Sequence, residues 1–97
     1  MAQYESADAI LASASRENPE AIFELGLLCA TGRAGIIDVI EAHKWFNIAA
    51  FRGYDAAKAR REEIAAEMSR EEIAAAQRAA RDWLQRHQFE NCRLQAA

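Results

Sequence analysis

The residues of this 97-residue chain best suited to chemistry are two histidines, two cysteines and a group of glutamates. His43 and His87 have no cysteine, aspartate or histidine three or four positions further on, and Cys29 and Cys92 lack the CxxC spacing. Zinc sites and redox motifs place their ligands at such short intervals. The sequence therefore predicts no metal or cofactor site, and it favours two reduced thiols.

The glutamates are the remaining candidates for catalysis. Five of them fall within eleven positions: Glu62, Glu63, Glu67, Glu71 and Glu72. Paired-carboxylate catalysis needs two carboxyl groups that face each other across a cleft, whereas helical spacing spreads these along exposed faces. Nucleophile-elbow, phosphate-loop and HExxH motifs are also missing. We therefore expect no enzymatic activity.

Charge and hydropathy exclude further classes of partner. The net charge is -3, and acidic and basic residues are interleaved, which leaves no basic patch for nucleic acid or anionic lipid. The run of basic residues around Arg60 is offset at once by Glu62 and Glu63. No stretch approaches the roughly 18 apolar residues of a membrane span, and the first ten residues lack the pattern of a signal peptide. We expect a cytoplasmic protein.

Helix signals divide the chain. Alanine is abundant and there is one proline, a composition that favours helix. Three helix starts carry capping residues: Asn18 before Pro19, Asp38 with Glu41, and Ser69 with Glu72. Gly53 suits the end of a helix, and another helical pattern follows it. A short helix from Ser6 to near Ser15 brings the predicted total to about five.

Large and small side chains alternate along one face of the helix after Asp38. The face consists of Ala42, Trp45, Phe46, Ala49 and Ala50. The preceding helix carries Gly26, which would allow close approach of a neighbour. The sequence thus predicts an antiparallel helix hairpin with Trp45 and Phe46, and later Trp83, in the core. Ala80, Trp83 and Leu84 repeat the order of Ala42, Trp45 and Phe46 after about 38 residues, a spacing typical of helical repeats.

The combination of Leu25 and Gly26, Gly32, Asp38, Trp45 and Phe46, Gly53 and Ala57 resembles the SEL-one-like repeat, a relative of the tetratricopeptide repeat with a longer loop. The resemblance implies an all-α fold, a short α-solenoid of antiparallel helix hairpins. It divides the single domain 1–97 into an N-terminal capping helix (1–18), a complete repeat (19–54) and a C-terminal capping hairpin (55–97). The last copy is degenerate because Arg61 and Glu62 replace Leu25 and Gly26.

The resemblance also implies a function, that of a small adaptor or regulatory protein that binds a peptide or protein on its concave face. Carried over from the tetratricopeptide pattern, that face would hold Glu20, Phe23, Leu27, Thr31, Glu63 and Glu67. An apolar surface with acidic edges would suit a basic partner segment. Alternatively, Phe23 and Leu27 pack against the first helix and the glutamates are simply solvated.

One other function remains open, and an enzymatic one is not expected. One complete repeat is fewer than the three or so that usually make a stable array, so the chain could be a structural protein that forms a homodimer without a groove ligand. Cysteine-rich relatives in the wider family are linked to hydrolase activity. However, two cysteines cannot build the disulfide framework of those relatives.

Overall fold

The computed structural model describes residues 18–33 and 35–96, with side chains as far as His87. It contains four helices: α1 Pro19–Thr31, α2 Val39–Phe51, α3 Ala56–Ala65 and α4 Arg70–Ala96. No strand occurs in these described ranges, so the prediction of an all-α protein is confirmed. The predicted capping helix within residues 1–18 and the side chain of Cys92 lie outside the described residues.

The predicted capping residues begin three of the helices. The Asn18 side chain accepts a hydrogen bond from Ala21 N at 3.2 Å, with Pro19 in the first turn of α1. Ser69 and Glu72 form a reciprocal capping box at the start of α4, with bonds of 3.0 and 2.9 Å. These short-range bonds pair backbone N–H groups that have no partner within the helix.

The start of α2 differs from the predicted capping box. The Asp38 carboxylate accepts from Glu41 N at 3.1 Å, as expected. The Glu41 side chain does not reach back, because Asp38 N already donates to the Cys29 carbonyl oxygen at 3.0 Å. Glu41 instead pairs with Lys44 at 3.0 Å. The bond to Cys29 fastens the end of the loop onto α1.

Gly53 ends α2 as the sequence predicts. It has φ of +100°, its N–H donates to the Ala50 carbonyl, and the Tyr54 N–H donates to the Ala49 carbonyl, both at 3.0 Å. This pair of bonds is a Schellman motif, which requires the left-handed conformation that glycine adopts without strain. The chain therefore turns sharply into α3.

The core is centred on α2, which α1, α3 and α4 all contact. Phe46, Ile48 and Ala49 of α2 are buried among residues of the other three helices, and Trp45 meets Trp83 of α4 edge to face with ring centroids 5.6 Å apart. The prediction that Trp45, Phe46 and Trp83 belong to the core is confirmed.

Two helix pairs differ in closeness. A Cβ placed on Gly26 would lie 2.6 Å from Phe46 Cε1, so the predicted close approach of α1 and α2 is confirmed. In contrast, α3 and α4 make their main helix contacts with α2 rather than with each other. The Arg61 side chain strengthens the contact between α3 and α2 by donating to Asn47 Oδ1 at 2.8 Å.

Candidate binding groove

The structure brings four of the six predicted binding residues to one groove. Leu27 and Thr31 reach it from the last two turns of α1, and Glu63 and Glu67 reach it from the end of α3 and the turn that follows. The groove has a volume of about 300 Å³, at the small end of the roughly 300–1,000 Å³ seen for ligand sites. Its size suits a few side chains of a peptide.

The other two predicted residues lie elsewhere. Glu20 is exposed in the first turn of α1, about 16 Å along the helix from Thr31. Phe23 is half-buried, and its ring packs at 5.5 Å from the ring of Phe46 and at 5.0 Å from that of Tyr54. Phe23 therefore belongs to the packing between α1 and α2 and does not line the groove.

The floor and rim of the groove include residues that the sequence pattern did not predict. The floor contains Val39, Phe46 and Ile64, and the rim contains Ile37, which is 63% exposed. The signal available in the sequence was a pair of adjacent isoleucines, Ile36 and Ile37, directly after Gly35 in a loop, because two exposed apolar side chains side by side are more informative than one. An apolar floor with an apolar rim gives a peptide side chain somewhere to be buried.

The loop places Ile37 through its glycines. Gly32 has φ of +79°, and Gly35 N donates to the Gly32 carbonyl at 2.9 Å. A Cβ on Gly32 would lie 2.9 Å from Ile37 Cγ1, so the glycine also makes room for that side chain. With Asp38 bound to Cys29, the loop holds Ile37 against the end of α1.

The charged edge of the groove is unevenly paired. Arg60 Nη1 lies 3.6 Å from Glu63 Oε1, and both side chains are more than half exposed. Such an exposed pair is weak, about 0–1 kcal/mol. Within the described part of the chain, no ion pair involves Glu67. The edge thus carries two carboxylates and one guanidinium.

His43 is a buried histidine on α2. It is 3% exposed, and within the described ranges no hydrogen-bond partner reaches its Nδ1 atom. Burial lowers the pKa of His43 below 6.5, and the positive charge of nearby Arg61 lowers it further. The native state therefore favours a neutral imidazole.

We expect the free energy of unfolding to decrease as the pH is lowered, because of His43. A lowered pKa in the folded state means that the stabilisation is complete above the unfolded pKa of about 6.5 and is lost as the pH falls towards the folded value. Urea titrations between pH 7.5 and 5 should show a loss of at most about 1.4 kcal/mol per pH unit from this one proton. His43→Gln should flatten that dependence, and an identical slope in both proteins would contradict the assignment.

Cys29 lies on α1 and is half-buried. Burial raises the pKa of its thiol, and the negative charges of Glu41 and Asp38 raise it further. A raised pKa lowers the thiolate fraction at neutral pH, which is the opposite of what activates a cysteine nucleophile.

No protein-family model, curated protein or solved structure matches this chain. The similarity to the SEL-one-like repeat therefore depends on the residues and spacings given above. Across the described residues, no helix combines the length and apolar character that a membrane span requires.

Proposed function

We propose that this chain is a protein-interaction module that binds a peptide or protein segment in the groove between α1 and α3. One observation carries the proposal: Leu27, Thr31, Glu63 and Glu67, chosen from the sequence as partner-binding residues, line one groove with an apolar floor. The first helices of successive repeats line the concave surface in tetratricopeptide-like solenoids, and α1 and α3 hold the corresponding positions in the proposed repeat arrangement.

The proposed arrangement is a short solenoid of the SEL-one-like type. The close α1–α2 packing at Gly26, the long connection before Asp38 and the Schellman turn at Gly53 support it. The packing of both α3 and α4 on α2 departs from a regular stack, in which these two would form a hairpin of their own. We interpret residues 55–97 as a terminal cap, since end repeats of solenoids are atypical.

Two adjacent isoleucines test the groove function. Ile37 lines the groove, whereas Ile36, which is 75% exposed, does not. We expect Ile37→Asp to reduce the recovery of bound proteins from the native cell by at least tenfold, because it removes the apolar side chain at the rim that a bound segment would cover. Quantitative mass spectrometry of the captured proteins measures the loss.

The matched control is Ile36→Asp, which makes the same change one residue away and should leave recovery unchanged. Circular dichroism should show equal helix content in both variants. Equal recovery of the same partners by Ile37→Asp and the unaltered chain would refute the groove function.

Self-association is a second candidate function, and one observation favours it. Phe51 at the end of α2 is 72% exposed, beside a depression of about 390 Å³ that also contains Ala80 and Leu84 of α4. Asn47, Gln77 and Arg81 complete the lining, so the depression is partly polar, and the exposed aromatic ring is the feature typical of a contact surface. Sedimentation velocity at micromolar concentration distinguishes the candidates, because a structural homodimer would sediment at twice the monomer mass, and a cooperatively folded monomer would exclude an obligate dimer.

A further inference from the structure

The C-terminal ends of two helices, α1 and α3, lie at the groove, and both carry a partial negative charge. α1 ends at Thr31, α3 ends just before Glu67, and neither helix has a basic residue in its last turn. A helix C-terminus carries about half a negative charge, and lysine or arginine is the usual complement. At this groove no basic side chain from the last turn of either helix provides that complement.

The side chains around these helix ends add to the negative charge. Glu63 lies in the last turn of α3, Glu67 lies in the turn that follows, and both line the groove. Glu67 follows the end of α3, where the C-terminal dipole disfavours a carboxylate. Arg60 offsets only Glu63, through a long and exposed contact of 3.6 Å. Among the described residues at this edge, the carboxylate of Glu67 is thus the one that would gain most from a cationic partner.

The positive end of α2 does not reverse this balance. Val39, the first residue of α2, lines the groove, and a helix N-terminus attracts anions. The Asp38 carboxylate already occupies that position and accepts from Glu41 N. Among the charged residues that line the groove, an acidic partner would therefore meet two carboxylates and one guanidinium, that of Arg60.

We infer that the groove binds a cationic amphipathic segment of a partner protein, which places apolar side chains on Leu27, Val39 and Ile64 and two basic side chains at Glu63 and Glu67. This inference rests on the proposed function and names the chemistry of its partner. The partner's cation at Glu63 competes with Arg60, so Arg60 weakens the binding that the two glutamates favour.

Three synthetic peptides serve as probes. Each has twelve residues with leucines at positions 2, 5, 6 and 9, and the other positions are mainly lysine in the first peptide, glutamine in the second and glutamate in the third. Isothermal titration with the full chain at 50 and 300 mM salt gives the affinities. The lysine peptide should bind tightest, and its advantage should shrink at high salt, since exposed charges are screened beyond about a Debye length.

Three single substitutions test how the charges at the groove change the affinity for the lysine peptide. Glu67→Gln should weaken the lysine peptide by roughly twofold to fivefold, as for an exposed charge pair at the edge of an interface. Glu62→Gln makes the same change on an exposed side chain of α3 outside the groove and should change affinity by less than about twofold. Arg60→Ala should strengthen the lysine peptide, because it frees Glu63.

The results separate this inference from the groove function. Equal binding of the lysine and glutamine peptides, with both lost in Ile37→Asp, would leave the groove function intact and overturn the preference for cations. A weaker lysine complex after Arg60→Ala, or no binding by any peptide, would also overturn it, while the capture experiment still decides the groove function. A homodimer that dissociates on Glu67→Gln would assign the groove to a second copy and refute a separate partner.

Discussion

Replacing Trp45 with alanine is expected to lower the free energy of unfolding by about 3 to 5 kcal/mol. The indole is 4% exposed on the central helix, its ring meets Trp83 at 5.6 Å, and Lys44 Nζ lies 4.0 Å from its centroid. Alanine would leave a cavity where α2 meets α4. Because small domains are stable by only about 5–15 kcal/mol, this loss is a large share of the total. Urea titration followed by circular dichroism measures it.

Phe51 provides the matched control for Trp45. It is an aromatic residue of the same helix, but 72% of its surface is exposed. Phe51→Ala should change stability by no more than about 0.5 kcal/mol, as for most surface substitutions. A loss below about 1 kcal/mol for Trp45→Ala would mean that the contact between α2 and α4 is not part of the core.

Helix boundaries were predictable because their causes are local. Asn18 and Ser69 bond to N–H groups three residues away, and Gly53 is required by the conformation of its own backbone. Such signals are readable from neighbouring residues alone. Asp38 shows the limit of this reasoning, because its N–H is taken by Cys29 of another helix and the predicted return bond from Glu41 does not form.

The groove was predictable only in part. Leu27 and Thr31 lie on one helix, so their common face follows from helical periodicity. Phe23 shares that periodicity, but the rings of Phe46 and Tyr54 draw it into the core. Ile37 was missed because its position depends on the loop conformation set by Gly32.

The packing of the last two helices could not be read from the sequence. A repeat spacing of about 38 residues suggests that α3 and α4 form a second hairpin like the first. Gly26 permits the close approach in the first hairpin, whereas the matching position in α3 is Glu62. Without that close contact, α3 is fixed to α2 through Arg61 and Asn47, and α4 is fixed to it through the two tryptophans.

Gly26→Val is expected to lower the free energy of unfolding by about 3 kcal/mol, the upper part of the range for overpacked cores. Helix propensity alone predicts the opposite sign, since glycine is the poorest helix former apart from proline. We expect the steric clash to outweigh helix propensity, because a Cβ at Gly26 would lie 2.6 and 2.7 Å from two ring carbons of Phe46. That ring is fully buried and packs against Phe23, so it cannot move aside without disturbing a second ring. Thermal and urea unfolding measure the loss.

A graded series separates packing from propensity. Gly26→Ala adds one carbon and should destabilise less than Gly26→Val if the clash dominates, whereas it should stabilise by about 1 kcal/mol if propensity dominates. Phe46→Leu removes the atoms that clash, so the double variant Gly26→Ala/Phe46→Leu should be more stable than the sum of the two single losses predicts. Additive losses would show that Gly26 and Phe46 are not in contact. The close packing of α1 on α2, which positions Leu27 and Thr31 at the groove, would then be wrong.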